Sequence, residues 1–217
     1  MNFTSITSLR IEGFDELAVL ADGLLQNHTC LQSLTFRRMG SLRSLSNQLN
    51  NLSSLKSLGF LFCDKLESLP EGVQNLNSLE MLGICAMMPK MTTLPGLPSS
   101  LAELHIVGGL ELTSISEGLQ HLTALKDLYL AGCVKLNSLP ENIQHLTSLS
   151  RLRIHGCSNL MSLPEGIRNL EMLREFEIAD CPNLERQCKR EKGKDWPKIA
   201  HIPTIIINAQ LIQSSET

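Results

Sequence analysis

The sequence predicts an α/β repeat protein: a solenoid with a curved parallel sheet on its concave face and mostly turns, extended pieces and short 3₁₀ segments on its convex face. Three observations predict it. First, "LTALKDLYLAGCVKLNSLPENIQH" at 122–145 is followed at once by "LTSLSRLRIHGCSNLMSLPEGIRN" at 146–169, two segments of equal length that agree at nearly every apolar position. Second, pairs such as Leu58 and Phe60, or Leu152 and Ile154, alternate with period two, as a short strand with one buried face requires. Third, Leu69-Pro70, Leu139-Pro140 and Leu163-Pro164 follow such strands. Proline lacks an N–H for a ladder and resists helix interiors, so these returns are turns.

Units begin at residues 3, 28, 52, 76, 98, 122, 146 and 170, with spacings of 25, 24, 24, 22, 24, 24 and 24. Within each, apolar residues recur at fixed offsets, as in Leu146, Leu149, Leu152, Ile154, Cys157, Leu160, Leu163 and Ile167. This is the pattern of a leucine-rich repeat. The return must bring the chain back about 4.8 Å along the stack, which excludes a long crossover helix on every unit. One unit cannot bury its apolar face alone, so about eight units over 1–207 stack around a continuous core. The short unit in 87–109 contains Pro89, Pro95 and Pro98, and is expected to change curvature or interrupt a smooth return.

Cys63, Cys133, Cys157 and Cys181 share one phase, three residues past the second strand apolar position; Phe14, Met39 and Gly109 fill that slot elsewhere. The expected role is a column of small buried thiols. Zinc needs ligands converging in a tetrahedron, whereas these form a line, as do His121 and His145, so no metal and no cofactor is expected. Seven cysteines without a basic-then-apolar leader point to reduced thiols and a cytoplasmic chain, with the nucleus as a second expected compartment. A formal charge of −3 and the lack of a long apolar run argue against nucleic-acid and membrane partners.

At the C-terminal end the pattern changes. Trp196, Ile199, Ile202 and Ile205 to Ile207 are predicted to cover the last unit as a cap spanning 185–207. Arg186, Lys189, Arg190, Lys192 and Lys194 read as a solvated loop, and 208–217 as a polar, frayed tail.

The stretch "CPNLERQCKREKGKDWPKIAHIPTIII" resembles the C-terminal end of plant intracellular nucleotide-binding leucine-rich-repeat disease-resistance proteins of the coiled-coil class. The matching residues are Cys181-Pro182-Asn183-Leu184, Arg186-Gln187-Cys188 and Gly193 through Pro203, and the LPEGI returns have the same look. The resemblance implies a recognition region that senses a pathogen effector or a guarded host protein and contributes to autoinhibition of a nucleotide-binding switch domain. No G-x-x-x-x-G-K-[ST] occurs in these residues, so the phosphate-cradling loop of such a switch is missing. "LPGLPSSLAEL" at 94–104 locally resembles bacterial effector repeats that in some proteins precede a ubiquitin-ligase domain.

Residues flanking the strand apolar positions point onto the concave face. From these the predicted binding residues are Arg37, Leu61, Met81, Cys85, His105, Val107, Asp127, Tyr129, Arg151, Arg153, His155, Glu175 and Glu177. Leu61, Met81, Cys85 and Val107 give apolar exposure; Arg151 is expected between Asp127 and Glu175, and Arg153 beside Tyr129 and Glu177. Aromatic and arginine side chains dominate binding hot spots, which puts the centre at Tyr129, Arg151 and Arg153. The six His fall in different units, so no nucleophile, base and orienting group can be assembled, and no enzyme is expected. The expected partner is a protein, bound by a monomer; the competing reading is a substrate-recognition adaptor of a ubiquitin ligase.

Overall fold

The computed structural model describes residues 5–20, 23–25, 27–45, 49, 51–85, 88–119 and 121–214. The expected start of the first unit at Phe3, and Met87 of the short unit, lie outside these. Ten strands form one sheet in chain order: β1 (Ser8–Glu12), β2 (Ser33–Arg37), β3 (Ser57–Leu61), β4 (Met81–Cys85), β5 (Glu103–Val107), β6 (Asp127–Ala131), β7 (Arg151–His155), β8 (Glu175–Ala179), β9 (Thr204–Ile207) and β10 (Gln210–Ser214). The first nine run parallel and β10 antiparallel to β9.

The period-two reading holds throughout. Leu34, Leu58, Leu82, Leu104, Leu128, Leu152 and Phe176 are register neighbours and fully buried, as are Phe36, Phe60 and Leu130 two positions on. Phe36 and Phe60 stack with centroids 5.6 Å apart. Leu9 and Ile11 occupy the same phase in β1 but are half-buried, because β1 has one neighbour only. The two-residue shortening of the fourth unit is absorbed in its return, and the register Leu82–Leu104–Leu128 is unbroken.

After β1 to β3 and after β5 to β8 the chain turns through a left-handed residue. Glycine serves at Gly13, Gly108, Gly132 and Gly156, whereas Arg38, Phe62 and Asp180 adopt φ of 51° to 58°. These residues prolong the ladder: the Gly132 and Gly156 amides donate to the His155 and Ala179 carbonyls at 2.8 Å. The next position is the cysteine slot, which faces inward. Cys63, Cys133, Cys157 and Cys181 are fully buried, as is Met39, while Phe14 in the first unit is 56% exposed. On the convex side the returns carry 3₁₀ turns at Val73–Asn75, Glu141–His145 and Glu165–Asn169, and one short helix, α1 (Ser116–Leu119).

The C-terminal end departs from the expectation in one respect. Residues 185–207 do not only cover the last unit; β9 adds a ninth parallel strand, and the tail expected to fray supplies β10 over 210–214. Asn208 and Ala209, at φ 49° and 60°, make the two-residue left-handed turn that favours such a hairpin. Ile212 packs against the core and Gln213 donates to the Ala200 and Ile202 carbonyls, which is why the tail is ordered this far.

Between β8 and β9 run α2 (Pro182–Gln187) and α3 (Trp196–Ile199). Asp195 is buried, and its Oδ2 accepts from the Leu163 amide at 2.8 Å. Lys198 Nζ donates to the Leu163 carbonyl at 2.6 Å and pairs with Asp195 Oδ1 at 2.9 Å. Burial pulls the Lys198 ammonium down, but bonds to Asp195 and Glu165 outweigh it and hold the pKa above its ordinary value. The two side chains thus satisfy both backbone groups of Leu163. Gly193 lies so close against the Gln187 carbonyl that no Cβ fits there.

Candidate interaction surface

Three rows of side chains cross the concave face. The middle row runs Thr35, Gly59, Gly83, His105, Tyr129, Arg153 and Glu177, in register from β2 to β8. One flank carries Ser57, Met81, Glu103, Asp127, Arg151 and Glu175; the other carries Arg37, Leu61, Cys85, Val107, Ala131 and His155. The phase assigned from sequence therefore holds for every predicted binding residue. They divide into two neighbouring features.

The first is a recess over β3 and β4 of about 290 Å³, lined by Leu61, Met81, Cys85, His105, Val107 and Tyr129 from the predicted set. Its floor is the glycine pair Gly59–Gly83. Sequence reasoning placed both glycines on this face but left them out of the binding set. The available signal was two glycines one period apart at the centres of strands, where glycine weakens pairing. Cys85 is half-buried, and burial foremost, with the Asp64 charge, pushes its thiol pKa up.

The second is a charge cluster over β6 to β8. Arg151 Nη1 donates to Asp127 Oδ2 at 3.0 Å and its Nε lies 3.3 Å from Glu175 Oε1, the arrangement expected from sequence. Two details differ. Asp127 is 8% exposed, a buried carboxylate under its arginines and no free contact point. Arg153 does not turn to Glu177; it reaches diagonally to both Asp127 oxygens at 3.0 Å, with its guanidinium 4.8 Å from the Tyr129 ring centroid. A carboxylate offered two guanidiniums in a half-buried setting gains more than an exposed one, which draws Arg153 across the Tyr129 face. The bond to Asp127 and the Glu175 charge hold Arg151 above its ordinary pKa.

Tyr129 is the hub. Its hydroxyl is 3.2 Å from His155 Nδ1, and its ring meets His105 and His155 edge-on at 6.0 and 5.2 Å. His155 Nε2 lies 3.2 Å from Glu177 Oε1, but out of line for a hydrogen bond. Among the described residues, His105 Nε2, 3.9 Å from Asp127 Oδ1, and Arg153 Nε are likewise buried without a hydrogen-bond partner. Arg37 stands apart, paired with Glu12 at 3.0 Å.

The buried thiols form a ladder behind the sheet. The Cys157 amide donates to Cys181 Sγ at 3.3 Å, and both thiols face strand-end carbonyls. Hydrogen bonding to Cys133 and burial push Cys157 up to about 12, and bonding to Cys157 and burial push Cys181 up further. Among the described residues no three His, Cys, Asp or Glu converge as metal ligands, and no helix is long and apolar enough to cross a membrane.

No protein-family model matches the chain, and no curated protein sequence matches it significantly. Solved structures do. The leucine-rich repeat domain of the type III effector XopL is 23% identical with a TM-score of 0.67, covering 93% of this chain and 76% of that one. An internalin, inlF from Listeria monocytogenes, is 14% identical with a TM-score of 0.43, covering 88% of this chain and 65% of that one. With its unbroken parallel register, inward leucine rows and 3₁₀ returns, the chain is by fold a leucine-rich-repeat solenoid.

Proposed function

We propose that the chain is the recognition module of a plant intracellular nucleotide-binding leucine-rich-repeat immune receptor, binding a pathogen effector or a guarded host protein and restraining a nucleotide-binding switch domain. The observation that carries this reading is the C-terminal segment. Its most specific resemblance, Gly193 through Pro203, works as one unit: Gly193 makes the close approach, Asp195 clamps Leu163, and Ile199 and Ile202 complete the core. A motif retained as a whole cap is a stronger link than scattered leucines.

A concave face with a recess beside an aromatic–arginine cluster supports protein binding, because such residues on a rigid scaffold concentrate binding energy. The partner is a protein, with no nucleic acid and no membrane; the setting is cytoplasmic, with the nucleus as a second compartment; and the module acts as a monomer without catalysis. The test is affinity capture by the intact chain from leaf extract, with the retained proteins identified. Recovery of a nucleotide-binding switch domain or a defence-related host protein agrees with the reading. Recovery of ubiquitin-ligase scaffold components in their place supports the adaptor reading and contradicts this one.

A further inference from the structure

Gly59 and Gly83 are register partners at the centres of β3 and β4, and the fold requires neither to be glycine. Neither has a positive φ. A Cβ on Gly83 would meet only Met81 Sδ at 3.9 Å, and one on Gly59 only the Thr35 side chain from 3.6 Å, both ordinary contacts. Glycine inside a strand weakens it, and where no turn, bulge or crowding demands it, it marks a place where another group approaches the backbone. Two together leave a bare shelf in a row where Thr35 on one side and His105 and Tyr129 on the other present side chains.

We infer that this shelf receives one aromatic side chain from an extended segment of a protein partner, and that a basic residue of the same segment pairs with Glu103. The inference rests on the concave face being the binding surface. Size sets the first limit: about 290 Å³ is just under the roughly 300–1,000 Å³ of small-molecule sites and suits one large side chain. Shape sets the second. A flat ring laid over paired glycines restores the cross-strand cover that the missing side chains do not supply. Chemistry sets the third. Met81 Sδ, held by the Ser57 hydroxyl at 3.6 Å, borders the shelf as a soft partner for a ring edge, and the His105 and Tyr129 rings offer edge contacts opposite.

Charge fixes the neighbour. Asp127 is neutralised by Arg151 and Arg153, and Arg37 by Glu12. Glu103, next to Met81 across the ladder, is exposed and makes no ion pair among the described residues. The complement at this margin is therefore a lysine or arginine.

The test uses the intact chain and a library of short random peptides displayed on phage, with sequencing of the bound fraction. Peptides selected by the unmodified chain are expected to pair an aromatic residue with a nearby Lys or Arg. Their affinity is expected to fall about tenfold on Gly59→Val or Gly83→Val and several-fold on Glu103→Gln. The valine variants keep or raise the melting temperature, since β-branched side chains suit an open strand face. No enrichment, enrichment without aromatics, or unchanged binding by both valine variants overturns the inference. Peptides that lose affinity for D127N/R151Q/R153Q but not for the valine variants retain the concave surface and remove the shelf. Peptides indifferent to all of these remove both readings.

Discussion

Asp195 and Leu163, 32 residues apart, are joined by a 2.8 Å hydrogen bond from a backbone amide to a buried carboxylate. Some returns are hydrogen-bonded to their neighbours, as where the Leu94 amide donates to Ser114 and the Met161 amide to Asn137; at Leu163 side chains of the cap take that role. Asp195 supplies the acceptor and Lys198 the donor. Asp195→Ala strands the Leu163 amide and leaves the Lys198 ammonium with Glu165 as its remaining carboxylate, at a cost of about 2 kcal/mol. Hydrogen exchange is expected to rise around β7 to β9 while β2 and β3 stay protected. Uniform loss along the whole chain is the contrary outcome.

The thiol ladder gives a labelling order. Cys30 is exposed and Cys85 half-buried, whereas Cys133, Cys157 and Cys181 are buried. Iodoacetamide at mildly alkaline pH should modify Cys30 first, Cys85 next, and the five buried thiols, Cys63 and Cys188 included, only on unfolding. Fast modification of native Cys157 would refute the inward phase.

Cys157 sets an alkaline limit, opposite in sign to Cys133, whose bond to Cys157 holds its thiol below the ordinary value. Cys157 ionises near 12 in the folded chain and near its ordinary value, about 8.5, when unfolded. A raised folded pKa means the folded state holds its proton more tightly. The contribution to stability is complete below about pH 8.5 and is lost as pH rises toward 12. Thermal melts between pH 8 and 11 should show a falling midpoint, with a shallower fall for Cys157→Ala.

Turn residues after the strands predict opposite signs at equivalent positions. Phe62 is half exposed in the left-handed region at φ 58°, and Gly156 adopts φ 60° there without a side chain. Gly156→Ala should cost about 1 kcal/mol, and Phe62→Gly should be neutral or stabilising by a few tenths. Denaturant midpoints measure both.

Burial of Asp127 changes what a charge reversal means. R151E/R153E sets two carboxylates against a third that has lost its counter-ions, and should destabilise by about 3 kcal/mol or more. D127N/R151Q/R153Q removes the three charges together and should keep the fold within about 1 kcal/mol. Comparing their melting temperatures checks this.

The phase of each strand was legible because a period-two pair repeated eight times leaves no alternative register: one slip would expose Leu58 and Phe60 and bury Ser57 and Gly59. The cap was legible only in part. Trp196 and the isoleucines announced an apolar cover, but Asp195 looks polar in sequence, and nothing local says that its partner is an amide 32 residues earlier. The hairpin at 204–214 was hidden by Gln and Ser in β10, whose order depends on β9 and on carbonyls of the cap. In the site, row membership was legible; the diagonal from Arg153 to Asp127 was not, because register names the lateral neighbour and side-chain length reaches beyond it.

Recognition along the concave strand face is separated from recognition by the convex returns in one titration. A partner identified from leaf extract is titrated against the unmodified chain, against D127N/R151Q/R153Q with Tyr129→Ala, and against Glu71→Lys/Glu117→Lys on the convex returns. The concave variant is expected to lose about tenfold or more in affinity while its melting temperature stays well above the assay temperature, and the convex variant is expected to bind as the original does. Unchanged binding by the concave variant together with loss by the convex one would contradict it.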